Sequence, residues 1–237
     1  MKEVEPTDEE WLQAINFLTQ VGHWCDDKRQ EFILLSDTLG VTMLVDTVTD
    51  PKPTGTTEST VLGPFHVHGA PNLPFGANIS EGQTGEPTLV MGRVLSQNKL
   101  PIAGATVDVW QASAQGLYDV QEPERFPDMN LRAVFHTDEN GCFGFCTEKP
   151  APYPVPTDGP VGTMLKALGR HAWRPAHLHF MISAEQHISL TTHLFVKGDP
   201  YLESDAVQAV KDSLIVDFSL SHDSAEADQF GLPTPYY

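Results

Sequence analysis

The feature that most constrains the fold is a break in hydrophobic periodicity at residues 50–55, Asp-Pro-Lys-Pro-Thr-Gly. Before this break, apolar residues such as Trp11, Ile15 and Leu18 recur near the 3.6-residue period of a helix. After it, short segments rich in β-branched and aromatic residues are separated by Gly and Pro, which is typical of strands. Two prolines and a glycine cannot continue a helix. We therefore predict a helical N-terminal region, residues 1–50, followed by a separate β domain, residues 51–237.

The elements of each region can be predicted from capping residues and alternation. The first region is expected to hold three helices: one capped by Thr7 or Asp8, one over residues 26–35, and one from Ser36 or Asp37 to Val48. In the second region we predict a hairpin turning at residues 138–141 and a late helix over residues 204–215. Many short strands, in a chain with 19 prolines and 18 glycines, favour a mainly β (α+β) fold built around a β-sandwich. The predicted strands are residues 88–95, 105–110, 133–137, 142–146, 176–182 and 189–196.

Composition excludes several classes of partner. The formal charge is 14 − 32 = −18, and so acidic a chain is not expected to bind nucleic acid or an anionic membrane. No apolar run approaches the roughly 18 residues of a spanning helix, and the first residues lack the pattern of a signal peptide. Three cysteines, an odd number, do not suggest a disulfide framework. We therefore expect a cytoplasmic protein.

The segment that most suggests chemistry contains His177 and His179. In a strand, residues two apart point to the same face and lie about 6.6 Å apart, so two imidazoles can converge on one metal ion. Leu178 and Phe180 would then be buried on the opposite face. A pair of half-exposed histidines at a sheet edge is the competing interpretation. A second pair, His66 and His68, has the same spacing, but its Pro and Gly neighbours indicate a loop and make ligation less favoured.

Two histidines do not complete a metal site. A carboxylate such as Asp199 or Glu203 would give a ferrous or zinc enzyme, and a third histidine would suit zinc. Tyr118 and Tyr153 lie outside the predicted strands, the latter in a Pro-rich loop. Spacing alone favours exposed aromatic anchors for both, because a free phenol ionises near pH 10 and ligation needs a strong Lewis acid. A β-sandwich binding module with incidental histidines also remains open.

Several motifs, in matching order, resemble the intradiol ring-cleavage dioxygenases. The likeness runs from about Glu9 to Phe218 and is strongest at Arg-Pro-Ala-His-Leu-His-Phe, residues 174–180. The other motifs are residues 61–65, 104–112, 159–160, 168–171, 191–192 and 198–201. Within the family the match is closest to the hydroxyquinol-cleaving members, because of Met-Leu-Val-Asp at residues 43–46 and Thr-His-Leu-Phe-Val at residues 192–196.

The resemblance implies one non-haem Fe(III) per subunit, held by two tyrosines and two histidines. At the matching positions these ligands are Tyr118, Tyr153, His177 and His179. It also implies that Arg174 lies beside the substrate and stabilises developing negative charge, and that Tyr153, as the axial ligand, accepts a substrate proton. The substrate would be a small aromatic ortho-diol, cleaved with dioxygen between its two hydroxylated carbons.

The same resemblance implies which diol is preferred. Hydroxyquinol would be opened to 3-hydroxy-cis,cis-muconate, or its keto form maleylacetate, with catechol or a substituted catechol as the alternative. Catechol-cleaving relatives typically carry Gln where this chain has His193, and Asp46 could accept a hydrogen bond from the third hydroxyl. A solvated carboxylate at a helix end is an equal interpretation of Asp46. The remaining substrate-binding candidates are Leu62, Gly63 and Pro64.

The front of the chain departs from the family pattern. Relatives carry several dozen more residues before the segment that begins here near Thr7, and these contribute helices to the region through which the family dimerises. The resemblance implies a homodimer. The chain is either naturally short or trimmed at this end, so dimerisation and the lipid that some relatives bind between subunits both stay open.

Overall fold

In the computed structural model, which describes residues 3–27, 29–80, 82 and 84–237, the helical region consists of three helices. They are α1 (Asp8–His23), α2 (Glu31–Thr38) and α3 (Val41–Thr49). Thr7 caps α1 as predicted: its Oγ1 accepts from the backbone N–H of Glu10, whose carboxylate accepts from the backbone N–H of Thr7. The boundary between α2 and α3 lies later than predicted, because Gly40 adopts φ 74° and separates them.

Apolar side chains remain exposed along these helices. They are Trp11, Leu12, Ile15, Leu18, Phe32, Ile33, Leu39, Val41, Leu44, Val45 and Val48. Among the described residues no single helix has the length and apolar character needed to cross a membrane, although α2 and α3, bent by 80° at their junction, meet both criteria when joined.

The β region has two main sheets and a short ladder. Strands β1 (Pro87–Arg93) and β4 (Cys142–Glu148) pair with each other. The five-stranded sheet has the order β3 (Arg132–His136), β2 (Thr106–Gln111), β7 (His177–Ser183), β8 (Leu190–Val196) and β9 (Ile215–Val216). The short ladder joins β5 (Tyr153–Pro154) to β6 (Trp173–Arg174). Helix α4 (Pro160–Ala167) lies between β5 and β6 in the chain, and α5 (Ser224–Phe230) follows β9.

The two main sheets pack face to face around an aromatic core. The ring of Phe135 on β3 stacks on that of Phe145 on β4 with centroids 5.2 Å apart, and Phe143 on β4 meets Phe180 on β7 edge to face at 6.0 Å. Buried aliphatic residues of β2, including Val107 and Val109, complete this core. Apolar area removed from water is the main stabilising term here. The mainly β, α+β sandwich agrees with the sequence prediction.

The predicted hairpin is wrong in its pairing. Its turn forms, since the backbone N–H of Asp138 donates to the carbonyl of Cys142 at 2.9 Å. The two strands then diverge: β3 pairs with β2, while β4 pairs with β1 in the other sheet. Phe135 and Phe145 therefore face each other across the core, an arrangement that the local turn pattern does not reveal.

The late helix predicted over residues 204–215 does not form. The structure has two short 3₁₀ turns, Leu202–Ser204 and Asp212–Leu214, with irregular backbone between them. The Asp205 carboxylate accepts the backbone N–H groups of Val207 and Ala209, so a side chain provides the bonds that helical carbonyls would have supplied.

Candidate metal centre

One face of the five-stranded sheet carries a row of functional side chains. Strand register places Trp110 of β2 opposite His179 of β7, and His179 opposite His193 of β8. The Trp110 indole stacks on the His179 ring with centroids 4.7 Å apart and planes 14° apart. Leu178 and Phe180 point to the other face and join the core, as the alternation predicts.

His177 and His179 converge as the spacing predicts, and neither lies at an exposed edge. Their side chains are almost fully buried, and their Nε2 atoms lie 3.1 Å apart. Nδ1 of His177 lies 2.6 Å from the carbonyl oxygen of Pro175, which can only accept, so Nδ1 carries the proton. The lone pair of His177 is therefore on Nε2, the atom that faces His179. The interpretation as half-exposed histidines is wrong.

Tyr118 reaches this pair from the turn after β2. Its Oη lies 3.0 Å from Nε2 of His179. The turn passes very close to the Tyr153 segment at Gly116, where φ is 73° and an added Cβ would lie 2.7 Å from the carbonyl oxygen of Pro152. A glycine is required at this contact. The rings of Tyr118 and Tyr153 then meet edge to face at 5.3 Å.

Tyr153 is positioned by the short ladder. Register places it directly opposite Arg174, whose Nη1 donates to Tyr153 Oη at 3.2 Å. Both tyrosines are at most 2% exposed. The spacing-based interpretation of Tyr118 and Tyr153 as exposed anchors is therefore wrong, because the turn and the ladder fold both rings inward.

Arg174 is a buried cation that contacts several groups of the site. Its Nε donates to Asp205 Oδ1 at 3.3 Å, and its Nη2 lies 3.4 Å from Nδ1 of His193. Burial is the largest single influence and lowers the pKa of Arg174, but Asp205 and Tyr153 together raise it by more, so the guanidinium stays charged. Its Nη1 also lies 3.3 Å from Nε2 of His177.

Burial sets the protonation of the remaining groups. It lowers the pKa of His177 well below the usual value, an effect that the charge of Arg174 increases. Burial and the neighbouring histidines lower the pKa of His179 likewise, and burial lowers that of His193. Burial is the main cause that raises the pKa of Tyr118 well above 10, and the neighbouring Tyr153 raises it further. Neutral imidazoles are thus present, and the Tyr118 phenolate requires a cation beside it.

Segment 61–66 forms a wall beside the histidines. An added Cβ at Gly63 would lie 3.4 Å from Cε1 of His179, so the backbone of Gly63 runs close to that ring. Phe65 stacks on Tyr118 at 4.4 Å. Leu62 and Pro64, on either side of Gly63, are exposed.

The other candidate residues have different partners. Asp46 on α3 accepts from Ser59 Oγ at 2.8 Å and lies 4.0 Å from Lys211 Nζ. His66 pairs with Asp108 at 3.0 Å, and the structure places it in a loop as predicted. Asp199 accepts from the backbone N–H groups of Ala176 and Tyr201.

The arrangement fits a bound metal ion. Nδ1 of His177 is occupied by Pro175, so its Nε2 lone pair can bind a cation that also lies within reach of His179 Nε2 and Tyr118 Oη. Within the part of the chain that the structure describes, the His, Cys, Asp and Glu side chains that could hold a metal together are His177, His179 and His193, whose ligand atoms all lie within 4.8 Å of one another. No carboxylate belongs to this group, so the proposed triad with Asp199 or Glu203 is wrong. Imidazole nitrogens with phenol oxygens suit iron.

Sequence reasoning missed the supports of the site. Trp110, Phe65 and Asp205 contact the predicted residues directly, yet no local pattern distinguishes them from core or loop residues. The one available indication was that residues 104–112 and 61–65 belong to matching motifs.

Comparison with known proteins identifies the class. A family model described as "Dioxygenase" matches residues 61–231, and one described as "Catechol dioxygenase N terminus" matches residues 1–57. The chain belongs to the intradiol ring-cleavage dioxygenases, and the alternative of a non-catalytic binding module is wrong.

Individual relatives are similar along nearly the whole chain. Hydroxyquinol 1,2-dioxygenase from Rhizobium sp. (strain MTP-10005) is 53% identical over 237 residues, which cover 100% of this chain and 80% of the relative. 6-chlorohydroxyquinol 1,2-dioxygenase from Cupriavidus pinatubonensis is 53% identical over 217 residues, which cover 92% of this chain and 78% of the relative. The solved structure of hydroxyquinol 1,2-dioxygenase from Pseudomonas putida DLL-E4 superposes with a TM-score of 0.92 at 51% identity, covering 99% of this chain and 82% of that one. The structure of a catechol 1,2-dioxygenase from Acinetobacter sp. ADP1 superposes with a TM-score of 0.86 at 30% identity, covering 99% of this chain and 77% of that one.

Proposed function

We propose that this protein cleaves hydroxyquinol between its two adjacent hydroxylated carbons, using dioxygen and one ferric ion per subunit. The observation that carries the proposal is the buried convergence of two phenols and two imidazoles, with Tyr118 Oη 3.0 Å from His179 Nε2 and the two imidazole Nε2 atoms 3.1 Å apart. Residues 51–237 would form the catalytic domain, and residues 1–50 the helical region before it.

The ligands of the iron would be Tyr118, Tyr153, His177 and His179. Two phenolate oxygens are hard anionic donors, which favour iron(III) over iron(II). When bound, the ferric ion supplies the Lewis acidity that keeps both diol oxygens ionised and makes the ring reactive toward dioxygen. Stacking of Trp110 on His179 fixes the plane of that imidazole, so this ligand is oriented before iron binds.

Tyr153 and Arg174 would handle charge and protons. The Oη of Tyr153 can accept a proton from one diol hydroxyl, with Arg174 Nη1 at 3.2 Å to stabilise the charge before transfer. Arg174 keeps its own charge because Asp205 lies beside it. A fixed cation in a site with little water stabilises negative charge that develops on the substrate.

The walls of the site would orient the diol and exclude water. Gly63 leaves room beside His179, and the exposed Leu62 and Pro64 flank it in the same segment. The Phe65 ring stacks on that of Tyr118. His193 contacts both histidine rings and Arg174, which suits contact with a substrate oxygen.

Hydroxyquinol is preferred over catechol in this proposal for two reasons. Two relatives that are 53% identical to this chain are named for hydroxyquinol or its chlorinated form, whereas a catechol 1,2-dioxygenase from Candida albicans is 37% identical. Asp46, held by Ser59 and close to Lys211, is a carboxylate that could accept from the third hydroxyl.

A homodimer is part of the proposal. The helices expose a long series of apolar side chains, including Trp11, Ile15 and Leu44. Monomeric proteins rarely expose large contiguous apolar surfaces, and such a surface usually marks a site of association. Sedimentation of the purified protein would give the mass directly, and a monomer would contradict this part.

The deciding experiment combines colour with kinetics. Protein reconstituted with ferric iron should absorb visible light through phenolate-to-iron charge transfer, and should consume dioxygen with 1,2,4-trihydroxybenzene. The ratio of kcat/KM for this substrate and for catechol should favour the triol. A colourless, inactive protein with full iron content would refute the proposed centre, and faster catechol cleavage would refute only the substrate preference.

A further inference from the structure

Arg132 is a buried arginine adjacent to the candidate centre that the proposed reaction does not use. It is the first residue of β3, its side chain is 1% exposed, and register places it opposite Trp110. Arg132, Trp110, His179 and His193 thus occupy one cross-strand row. The guanidinium therefore lies on the same sheet face as the histidines.

All three nitrogens of the guanidinium are engaged. Nε lies 3.0 Å from both carboxylate oxygens of Asp119, and Nη2 lies 2.6 Å from Oδ1 of the same residue. Nη1 donates to the carbonyl oxygen of Phe65 at 2.6 Å. A planar fork can hold a carboxylate and a carbonyl in one fixed geometry, which a lysine cannot do.

These partners belong to two separate segments of the site. Asp119 directly follows Tyr118, whereas Phe65 belongs to segment 61–66, the wall beside the histidines. The Phe65 ring stacks on Tyr118 at 4.4 Å, and the Arg132 guanidinium carbon lies 5.8 Å from the Tyr118 ring centroid. One side chain therefore joins a candidate ligand to the wall of the candidate substrate pocket.

We propose that Arg132 is a positioning residue. It fixes the orientation of the Tyr118 phenol and the position of segment 61–66, the wall beside the histidines, as one unit. This inference rests on the proposed function. It adds a residue that touches neither iron nor substrate. This residue nevertheless sets how the Tyr118 phenolate meets the iron and how well the diol fits beside it.

Two variants separate this role from simple folding. Arg132→Lys keeps the charge and loses the fork. Arg132→Met combined with Asp119→Asn removes the pair without leaving a buried charge unpaired, so it remains measurable if the single variant does not fold. Arg125→Met is the matched control, because Arg125 makes an exposed ion pair with Glu122 on the same stretch of chain.

The readouts are the visible charge-transfer spectrum, iron loss to a chelator, anaerobic titration with 1,2,4-trihydroxybenzene, and steady-state kinetics. In the Arg132 variants we expect a shifted charge-transfer maximum and faster iron loss. We also expect weaker triol binding and a fall in kcat/KM of about 10-fold to 100-fold. The control should match the wild type in every measurement.

The outcomes are distinguishable. A coloured, active wild type whose folded Arg132 variants keep the same spectrum and the same triol affinity overturns this inference and leaves the proposed function intact. An iron-loaded wild type without a charge-transfer band overturns the proposed function and this inference with it. A shifted band with weakened triol binding in both Arg132 variants supports the positioning role.

Discussion

Tyr153 and Arg174 are direct partners in a two-residue antiparallel ladder, with Arg174 Nη1 3.2 Å from Tyr153 Oη. The two residues are 21 positions apart in the chain, and α4 lies between them. Because the backbone pairing fixes both side chains, a phenol that can ionise and a permanent cation are held together before any substrate arrives. Such preorganisation reduces the structural adjustment needed during the reaction.

Replacing Tyr153 should remove one proposed iron ligand and the proposed acceptor of the substrate proton. In Tyr153→Phe we expect the visible band to weaken and kcat to fall about 100-fold or more, the usual range for loss of a general base. Absorption spectra and oxygen-uptake rates measure the two effects. Tyr237→Phe, at the C-terminus, serves as a control for loss of a tyrosine elsewhere. Wild-type colour and turnover in Tyr153→Phe would remove this residue from the centre.

Arg174→Lys should slow turnover without releasing iron. The lysine keeps a cation near Asp205, so the buried carboxylate stays compensated, but it cannot reach Tyr153 and His193 at the same time. We expect kcat to fall about 100-fold, as when one fixed donor to a developing anion is lost. Metal analysis and kinetics on the same preparation test this, and an unchanged kcat would exclude a catalytic role for Arg174.

Gly116→Ala should disturb the contact between the two tyrosine segments. The residue has φ 73°, and its new Cβ would meet the Pro152 carbonyl oxygen at 2.7 Å. Gly104→Ala is a matched control, since φ is 68° there and no heavy atom lies within 4 Å. We expect Gly104→Ala to lower the unfolding free energy by about 1 kcal/mol. Gly116→Ala should lower the unfolding free energy by about 1–3 kcal/mol more than this control does. It should also weaken iron binding. Equal effects in denaturant titrations would mean that the close approach is unimportant.

Asp46→Asn should test the recognition of the third hydroxyl. If the carboxylate accepts that hydrogen bond, kcat/KM for 1,2,4-trihydroxybenzene should fall about 10-fold, with little change for catechol. Asp50→Asn provides the control, because Asp50 pairs with Lys52 at 2.6 Å at the end of the same helix. Equal losses for both substrates would assign Asp46 a structural role through Ser59 and Lys211.

Local sequence patterns were sufficient for part of this fold. The cap at Thr7, the strand that carries His177 and His179, and the burial of Leu178 behind them follow from short-range spacing. Two predictions failed, namely the pairing of the hairpin strands and the late helix. The turn at residues 138–141 formed, but the pairing of β3 and β4 depended on the opposite sheet, and the late helix was replaced by bonds to the Asp205 carboxylate.

By itself the sequence determined two imidazoles on one strand face, because alternation along a strand is a property of the backbone. Only the tertiary structure decided what meets them. Tyr118 arrives from a turn after β2, Tyr153 from a ladder with β6, and His193 from the neighbouring strand. The contact between Tyr118 and His179 joins residues 61 positions apart in the chain. No local propensity encodes such distances, since they arise only when sheets, turns and the buried Arg174 pack together.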